Sequence, residues 1–172
     1  MSLPRLALAV IGDEIGPSLE EMISFCAENG VRRLDMRTVG GRNLLGLPLD
    51  EVKAIRRSLD GAGLEVPTFV SPLLKWAAPG RQAAGGKVDF AFDPRQCPAA
   101  DPVAYAFEVA GILGARHIRV FSYLRYDGYQ PRDLAPEFDR LQTLAERHNI
   151  VDRKSTRLNS SHVSESRMPS SA

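Results

Sequence analysis

The sequence predicts an α/β fold made of four successive βα units, the opening half of a (β/α)8 barrel. Three observations predict it. Short apolar, strand-like runs alternate with amphipathic, helix-like runs along residues 5–150, an order that builds a parallel sheet with right-handed crossovers. Leu34 and Met36 alternate with Asp35 and Arg37, and Ile118 and Val120 alternate with His117 and Arg119. Strands with one apolar and one charged face suit a barrel with a polar mouth, because an open sheet covered by helices on both sides buries both faces. Finally, Gly12 and Gly16 stand too far apart for a G-x-G-x-x-G turn after the first strand, which disfavours a dinucleotide-binding fold.

The elements follow in order. RLALAVI (5–11) is long enough for a buried strand. A helix runs from about Ser18 to Asn29. Ser18 and Glu21 form a capping box, Asn29-Gly30 gives the stop, and Leu19, Met22, Ile23 and Cys26 share one face. RRLDMRTV (32–39) alternates as a second strand. A second helix spans about 49–61, with Leu49, Val52, Ile55 and Leu59 on one side. LEVPTFV (64–70) is the third strand, weakened by Pro67 because a central strand tolerates proline poorly. Asp101-Pro102 is a good N-cap and first-turn pair for a third helix carrying Val103, Phe107, Ala110 and Leu113 before Gly114. HIRVFSY (117–123) is the fourth strand. A fourth helix covers about 136–148 with Phe138, Leu141 and Ala145 inward, and a further strand is expected to begin at Ile150.

The last 21 residues read differently. Residues 152–172, DRKSTRLNSSHVSESRMPSSA, contain seven serines, only four apolar residues and no helix or strand period. Such a segment buries too little surface to offset its ordering entropy. Residue by residue it resembles a conceptual translation of a sequencing adapter joined to a shortened gene. The expectation is therefore two regions: 1–151, a truncated barrel half, and 152–172, a non-native disordered tail.

The whole chain carries 22 basic and 21 acidic residues. Setting aside the tail's four basic and two acidic residues leaves 18 against 19, a net charge of −1. Near neutrality argues against a nucleic-acid partner and against an anionic membrane surface. There is no apolar run of membrane-spanning length, and Leu6–Ile11 is too short for a signal-peptide core. A cytoplasmic location is expected. Cys26 reads as a buried small hydrophobe, and a Cys26–Cys97 disulfide is not expected in a reducing compartment.

The segments GVRRLDMRTVGGRNLLGLPLDEVKAIRRSLDGAGLEVPTFVSP (30–72) and AGILGARHIRVFSYLR (110–125) resemble the xylose-isomerase-like TIM barrels, and among them the sugar phosphate isomerases/epimerases. The resemblance covers about residues 6–150. Where that family usually has Glu in an E-L-R motif, this chain has Asp35-Met36-Arg37, so the carboxylate reach is shorter. The resemblance implies a parent that isomerises or epimerises a sugar or sugar phosphate. It also implies a divalent metal (Mg, Mn, Zn or Co) held by carboxylates and a His on strands after Ile150, with no metal site in the fragment itself. Two other functions fit the same fold: an apurinic-site endonuclease-like phosphodiesterase, which the charge balance disfavours, and a non-catalytic small-molecule binder.

The residues leave half of a substrate pocket. No H-E-x-x-H, paired cysteine ligands, nucleophile elbow or P-loop occurs, and no catalytic residue is assigned. The substrate-binding candidates are Asp35, Arg37, Lys75 and Ser122. Arg37 ends the second strand, where barrels present functional groups. It fits a sugar hydroxyl, a carboxylate or a phosphate, or else an ion pair with Asp35. Arg119 is expected in a structural salt bridge. Ser122 and Tyr123 close the fourth strand within reach of a polyol, and Trp76 reads as a sugar-stacking ring or as packing. His117 lies at the wrong end of its strand for catalysis and reads as structural; His148 ends a helix. The long connection 71–100 reads as a lid over the barrel mouth, with KVDFAFD (87–93) extended inside it. Half a barrel also leaves open sheet edges, so the chain alone is expected to be inactive and to self-associate.

Overall fold

A computed structural model describes residues 8–84 and 92–150. The tail, the first seven residues and most of the KVDFAFD segment lie outside the described residues, and so do the expectations that fall on them.

Four strands run parallel in chain order. β1 (Val10–Ile11) pairs with β2 (Leu34–Asp35) in the register Val10↔Leu34 and Ile11↔Asp35. Single parallel bridges, Arg33↔Glu65 and Met36↔Phe69, carry the sheet across to the third βα unit. Its strand joins the fourth with Thr68↔His117 and Phe69↔Ile118. Between β2 and that third unit the chain makes a small antiparallel hairpin, β3 (Thr38–Val39) and β4 (Arg42–Asn43). The long strands of the third and fourth units are then β5 (Thr68–Leu73) and β6 (His117–Val120).

The helices form where local chemistry predicts. α1 (Leu19–Glu28) starts on Ser18, whose hydroxyl accepts from Glu21 N at 3.2 Å while Ser18 N donates to Glu21 Oε2 at 3.0 Å. The Ser18 N–H first, and then the Ser18 hydroxyl, which also donates to Glu21 Oε2 at 3.0 Å, lower the pKa of Glu21. Met22 and Cys26 are buried; Leu19 and Ile23 are half-buried beside them. α2 (Leu49–Gly61) buries Val52, Ile55 and Leu59. α3 (Pro102–Leu113) is capped by Asp101, whose carboxylate accepts from Val103 N and Ala104 N. It ends at Gly114, in the left-handed region at φ 69°, where a Cβ would be strained. α3 is the most enclosed helix, packed on both α2 and β5. α4 (Ala135–Arg147) buries Leu141 and Ala145.

Five expectations need correction. β1 is shorter than the apolar run suggests: Leu8 is 79% exposed and precedes the strand. The single strand expected over 32–39 breaks at Arg37, because Gly40 (φ 60°) and Gly41 (φ 72°) fold the chain back as a two-residue hairpin turn. β5 starts at Thr68, just past Pro67, and continues through Ser71-Pro72 to Leu73. It does so by bulging, since its register slips between Phe69 and Leu73, so Pro72 sits where a ladder donor is not required. Ser71 fills the bulge. Its Oγ donates to Arg119 O at 2.5 Å and accepts from Leu73 N at 3.2 Å. β6 ends at Val120, three residues early, and all four of its residues are half-buried rather than alternating. Last, Phe138 of α4 is 38% exposed, not inward.

The apolar core lies between the sheet and the layer of α2 and α3. Leu34, Met36, Phe69 and Leu73 from the strands meet Val52, Leu59, Ala106, Val109 and Leu113 from the helices. Burial of these side chains, at about 25 cal/mol per Å2 of apolar surface, is the main favourable term in folding.

Candidate functional site

Parallel strands gather functional side chains at their C-terminal ends. Here β1 ends in a single 3-10 turn, Gly12–Glu14, and β2 ends at Asp35. The register sets what meets what. Val10 faces Leu34 and Ile11 faces Asp35, and the same offset of 24 carries Asp13 to Arg37. Arg37 Nε donates to both Asp13 oxygens, at 3.1 and 2.9 Å. Thr38 Oγ1 donates to Asp13 Oδ2 at 2.8 Å. Glu14 Oε1 lies 3.6 Å from Arg37 Nη2. The Asp13 side chain is 7% exposed and that of Arg37 20%. Gly12 lets Met22 of α1 pack close against this turn, because a Cβ there would stand 2.9 Å from Met22 Sδ.

Arg37 is therefore ion-paired, but to Asp13 rather than to Asp35. Asp35 is half-buried, and its Oδ1 is enclosed with no hydrogen-bond partner. A buried carboxylate oxygen without a donor is costly. It marks a place where a hydroxyl or amide would be stabilising.

A second group forms at the ends of β5 and β6. Lys75 Nζ stands 5.0 Å from the Phe121 ring centre, and the Arg119 guanidinium stands 4.6 Å from it. Arg119 Nε donates to Ser71 O at 2.9 Å. Arg119 thus braces the β5 bulge through a backbone carbonyl. Leu74 (φ 62°) and Tyr123 (φ 62°) are both left-handed. For residues with a Cβ this costs of order 1–3 kcal/mol, and such residues cluster at functional ends of scaffolds.

Of the four predicted substrate-binding residues, Asp35 and Arg37 lie together on the end of β2, and Lys75 joins the β6 side through Phe121. Ser122 is exposed. The Tyr123 hydroxyl donates to Glu137 Oε2 at 3.2 Å. Burial first, and the Glu137 charge second, push it up to about 12. Trp76 packs against Phe92, ring centres 6.1 Å apart. His117 Nδ1 lies 3.3 Å from Pro67 O, a structural contact at the start of β6. His148 stacks near Phe107. Cys26 and Cys97 are free thiols, and burial raises both.

The described parts of the long 71–100 connection are tied down. Ala84 N donates to Arg125 O at 2.7 Å, Leu124 N to Trp76 O at 2.9 Å, and Arg81 lies over Tyr126. A short turn, Pro94–Gln96, is capped by Asp93. Arg95 holds the Asp93 carboxyl down to about 2, by side-chain and then backbone hydrogen bonds. Between this turn and the β3–β4 hairpin lies a cleft of about 530 Å3 that includes Asn43, Gly46 and Phe92. None of Asp35, Arg37, Lys75 and Ser122 lines it. The cleft's own charged side chains, Arg42 and Asp93, are paired with Glu51 and Arg95.

Among the described residues, no three His, Cys, Asp or Glu side chains gather into a group that could hold a metal ion. Asp13 and Glu14 are engaged with Arg37, and Asp35 stands alone. No described helix is long and apolar enough to cross a membrane.

Sequence reasoning missed Asp13, Glu14 and Thr38. Asp13-Glu14 directly follows the first apolar run, the end at which a parallel strand delivers its side chains. That position was the available signal. Models of known protein families give no match to this chain, and neither do curated proteins.

Proposed function

We propose that residues 8–150 are the first four βα units of a xylose-isomerase-like (β/α)8 barrel. In this reading the parent is a cytoplasmic, metal-dependent sugar or sugar-phosphate isomerase/epimerase. The observation that carries the reading is the end of β2. There Asp35, with an enclosed oxygen lacking a donor, closes β2, and Arg37 follows two positions on, just past the strand. That spacing, about 7 Å, suits one acceptor and one donor for neighbouring hydroxyls of a polyol. The order β1-β2-β5-β6, all parallel, supports the barrel half of the reading.

In the parent, Asp35 accepts from a substrate hydroxyl and Arg37 donates to its neighbour, so the chain is held for chemistry performed elsewhere. The ligands for a divalent metal belong to strands beyond Ile150. When bound there, the metal would polarise the substrate's carbonyl and hydroxyl oxygens. The described residues do not fit that metal, and no step of the chemistry is assigned to them.

The test is the genomic reading frame downstream of the Ile150 codon. Expressed as one continuous protein, it is expected to interconvert aldose and ketose, or C-epimers, of a free or phosphorylated sugar, and to lose that activity to a chelator. A downstream frame without carboxylates and a His at strand ends, or a continuous protein inert toward both substrate classes, would overturn the reading. The 172-residue chain itself is expected to be inactive and to sediment as more than a monomer, through open strand edges.

A further inference from the structure

We infer that Asp13 is a positioning and specificity residue. By ion-pairing with Arg37 it offsets the guanidinium's charge while leaving it a hydrogen-bond donor, so the β1–β2 end of the pocket takes the uncharged hydroxyl part of a substrate and rejects a phosphate. The inference deepens the sugar-pocket reading and rests on it for the word substrate.

Three features fix the arrangement. The Asp13 carboxylate is held in place by its 3-10 turn and by the Thr38 hydroxyl. Both of its oxygens take the Arg37 Nε–H, at 3.1 and 2.9 Å. Glu14 adds a second negative charge 3.6 Å from Nη2. With Nε engaged, Nη1 and Nη2 make no hydrogen bond to the described residues, and the side chain remains 20% exposed. Donors therefore face outward, while two carboxylates (Asp13 and Glu14) oppose one guanidinium.

A phosphate approaching Arg37 meets that surplus of negative charge in a partly buried setting, where screening is weak. Bidentate capture of an oxyanion by arginine depends on a guanidinium whose charge is not already spent. A hydroxyl has no net charge to repel. It accepts from Nη1 or Nη2, and a neighbouring hydroxyl donates to Asp35.

The test is equilibrium dialysis of the full 172-residue chain against labelled inorganic phosphate. Wild type is expected to show no binding that depends on Arg37. Asp13→Asn removes the opposing charge and is expected to bind phosphate about tenfold more tightly, a gain abolished in Asp13→Asn/Arg37→Met. Should Asp13→Asn fail to fold, Glu14→Gln, altering a mostly exposed side chain, is expected to give a smaller gain of the same sign. Arg37-dependent phosphate binding by wild type, or no gain in any charge-removing variant, would overturn the inference. No sugar turnover enters the measurement. A parent inert on sugars but still phosphate-blind at Arg37 would remove the isomerase reading and leave the role of Asp13 standing.

Discussion

Two neighbouring parts of the sheet differ in how fully they are covered. Around β2, the hairpin and α2, the chain closes on itself: Leu34, Met36, Leu44, Leu45, Val52 and Leu59 have no exposed surface. Around β6 and α4 it closes only in part. All four β6 residues are half-buried, Phe138 is open to solvent, and α4 buries only Leu141 and Ala145 along its length. The first region contains its own partners: the hairpin returns onto β2, with Leu44 N donating to Arg37 O at 3.1 Å. β6 pairs with β5 along one side. Among the described residues no strand pairs with its other side. Cohesion here follows from having neighbours on both sides of a strand more than from strand length.

The contrast is sharpest for aromatic truncation. Phe69 is fully buried where β5 meets β2 and β6. Phe69→Ala is expected to cost about 3–5 kcal/mol, a large part of a domain's total stability. Urea unfolding of the two proteins checks it. A loss under about 1 kcal/mol would mean that the sheet is not the cohesive element.

Asp101 joins the two regions. It caps α3 from below and pairs with Arg140 of α4. Asp101→Ala is expected to cost about 0.5–2 kcal/mol, chiefly by releasing the helix N–H groups. Arg140→Ala removes only half-exposed ion pairs, to Asp101 and Glu137, and is expected to cost about 1 kcal/mol or less. If the two variants melt alike, the ion pair matters more than the cap.

What the sequence made legible, and what it did not, follows the same division between local and distant causes. The capping box of α1, the Asp101-Pro102 start and the Gly114 stop of α3 are set by residues within a turn of each other, and all form as read. The alternation of Leu34 and Met36 against Asp35 and Arg37 also holds, because one face of β2 meets the helices. The bulge at Ser71-Pro72 was not legible. It depends on Arg119, 48 residues away, whose carbonyl and guanidinium both engage Ser71. Nor was the true partner of Arg37. Asp35 is near in sequence, but residues two apart on one side of a strand stand about 7 Å apart, whereas Asp13 arrives through strand pairing at an offset of 24. The hairpin was legible in principle, since Gly40-Gly41 between short strand-like pairs is a turn signal.

Tyr123 tests the less covered region by pH. Its pKa is raised from 10.0 to about 12, by burial first and then by the Glu137 charge. The folded state therefore holds the phenol proton more tightly than the unfolded chain does. The resulting stability is fully present below pH 10 and is lost as pH rises toward 12. Tyr123→Phe is expected to flatten that alkaline fall in melting temperature while changing little at neutral pH. An unchanged alkaline slope would show that the phenol is neither buried nor held against Glu137.

The smallest effect is expected at Phe138. Its ring is 38% exposed on a helix with few buried residues, so little apolar surface is at stake. Phe138→Gln is expected to change stability by less than about 1 kcal/mol, since a fully buried aromatic contributes only about 1.5–3 kcal/mol by transfer. Glutamine keeps the helix propensity, so the backbone term does not obscure the reading. Compared with Phe69→Ala in the same urea series, it separates the regions directly. If Phe138→Gln were as destabilising as Phe69→Ala, α4 would have to be packed as tightly as the hairpin side, and the contrast between the two regions would fail.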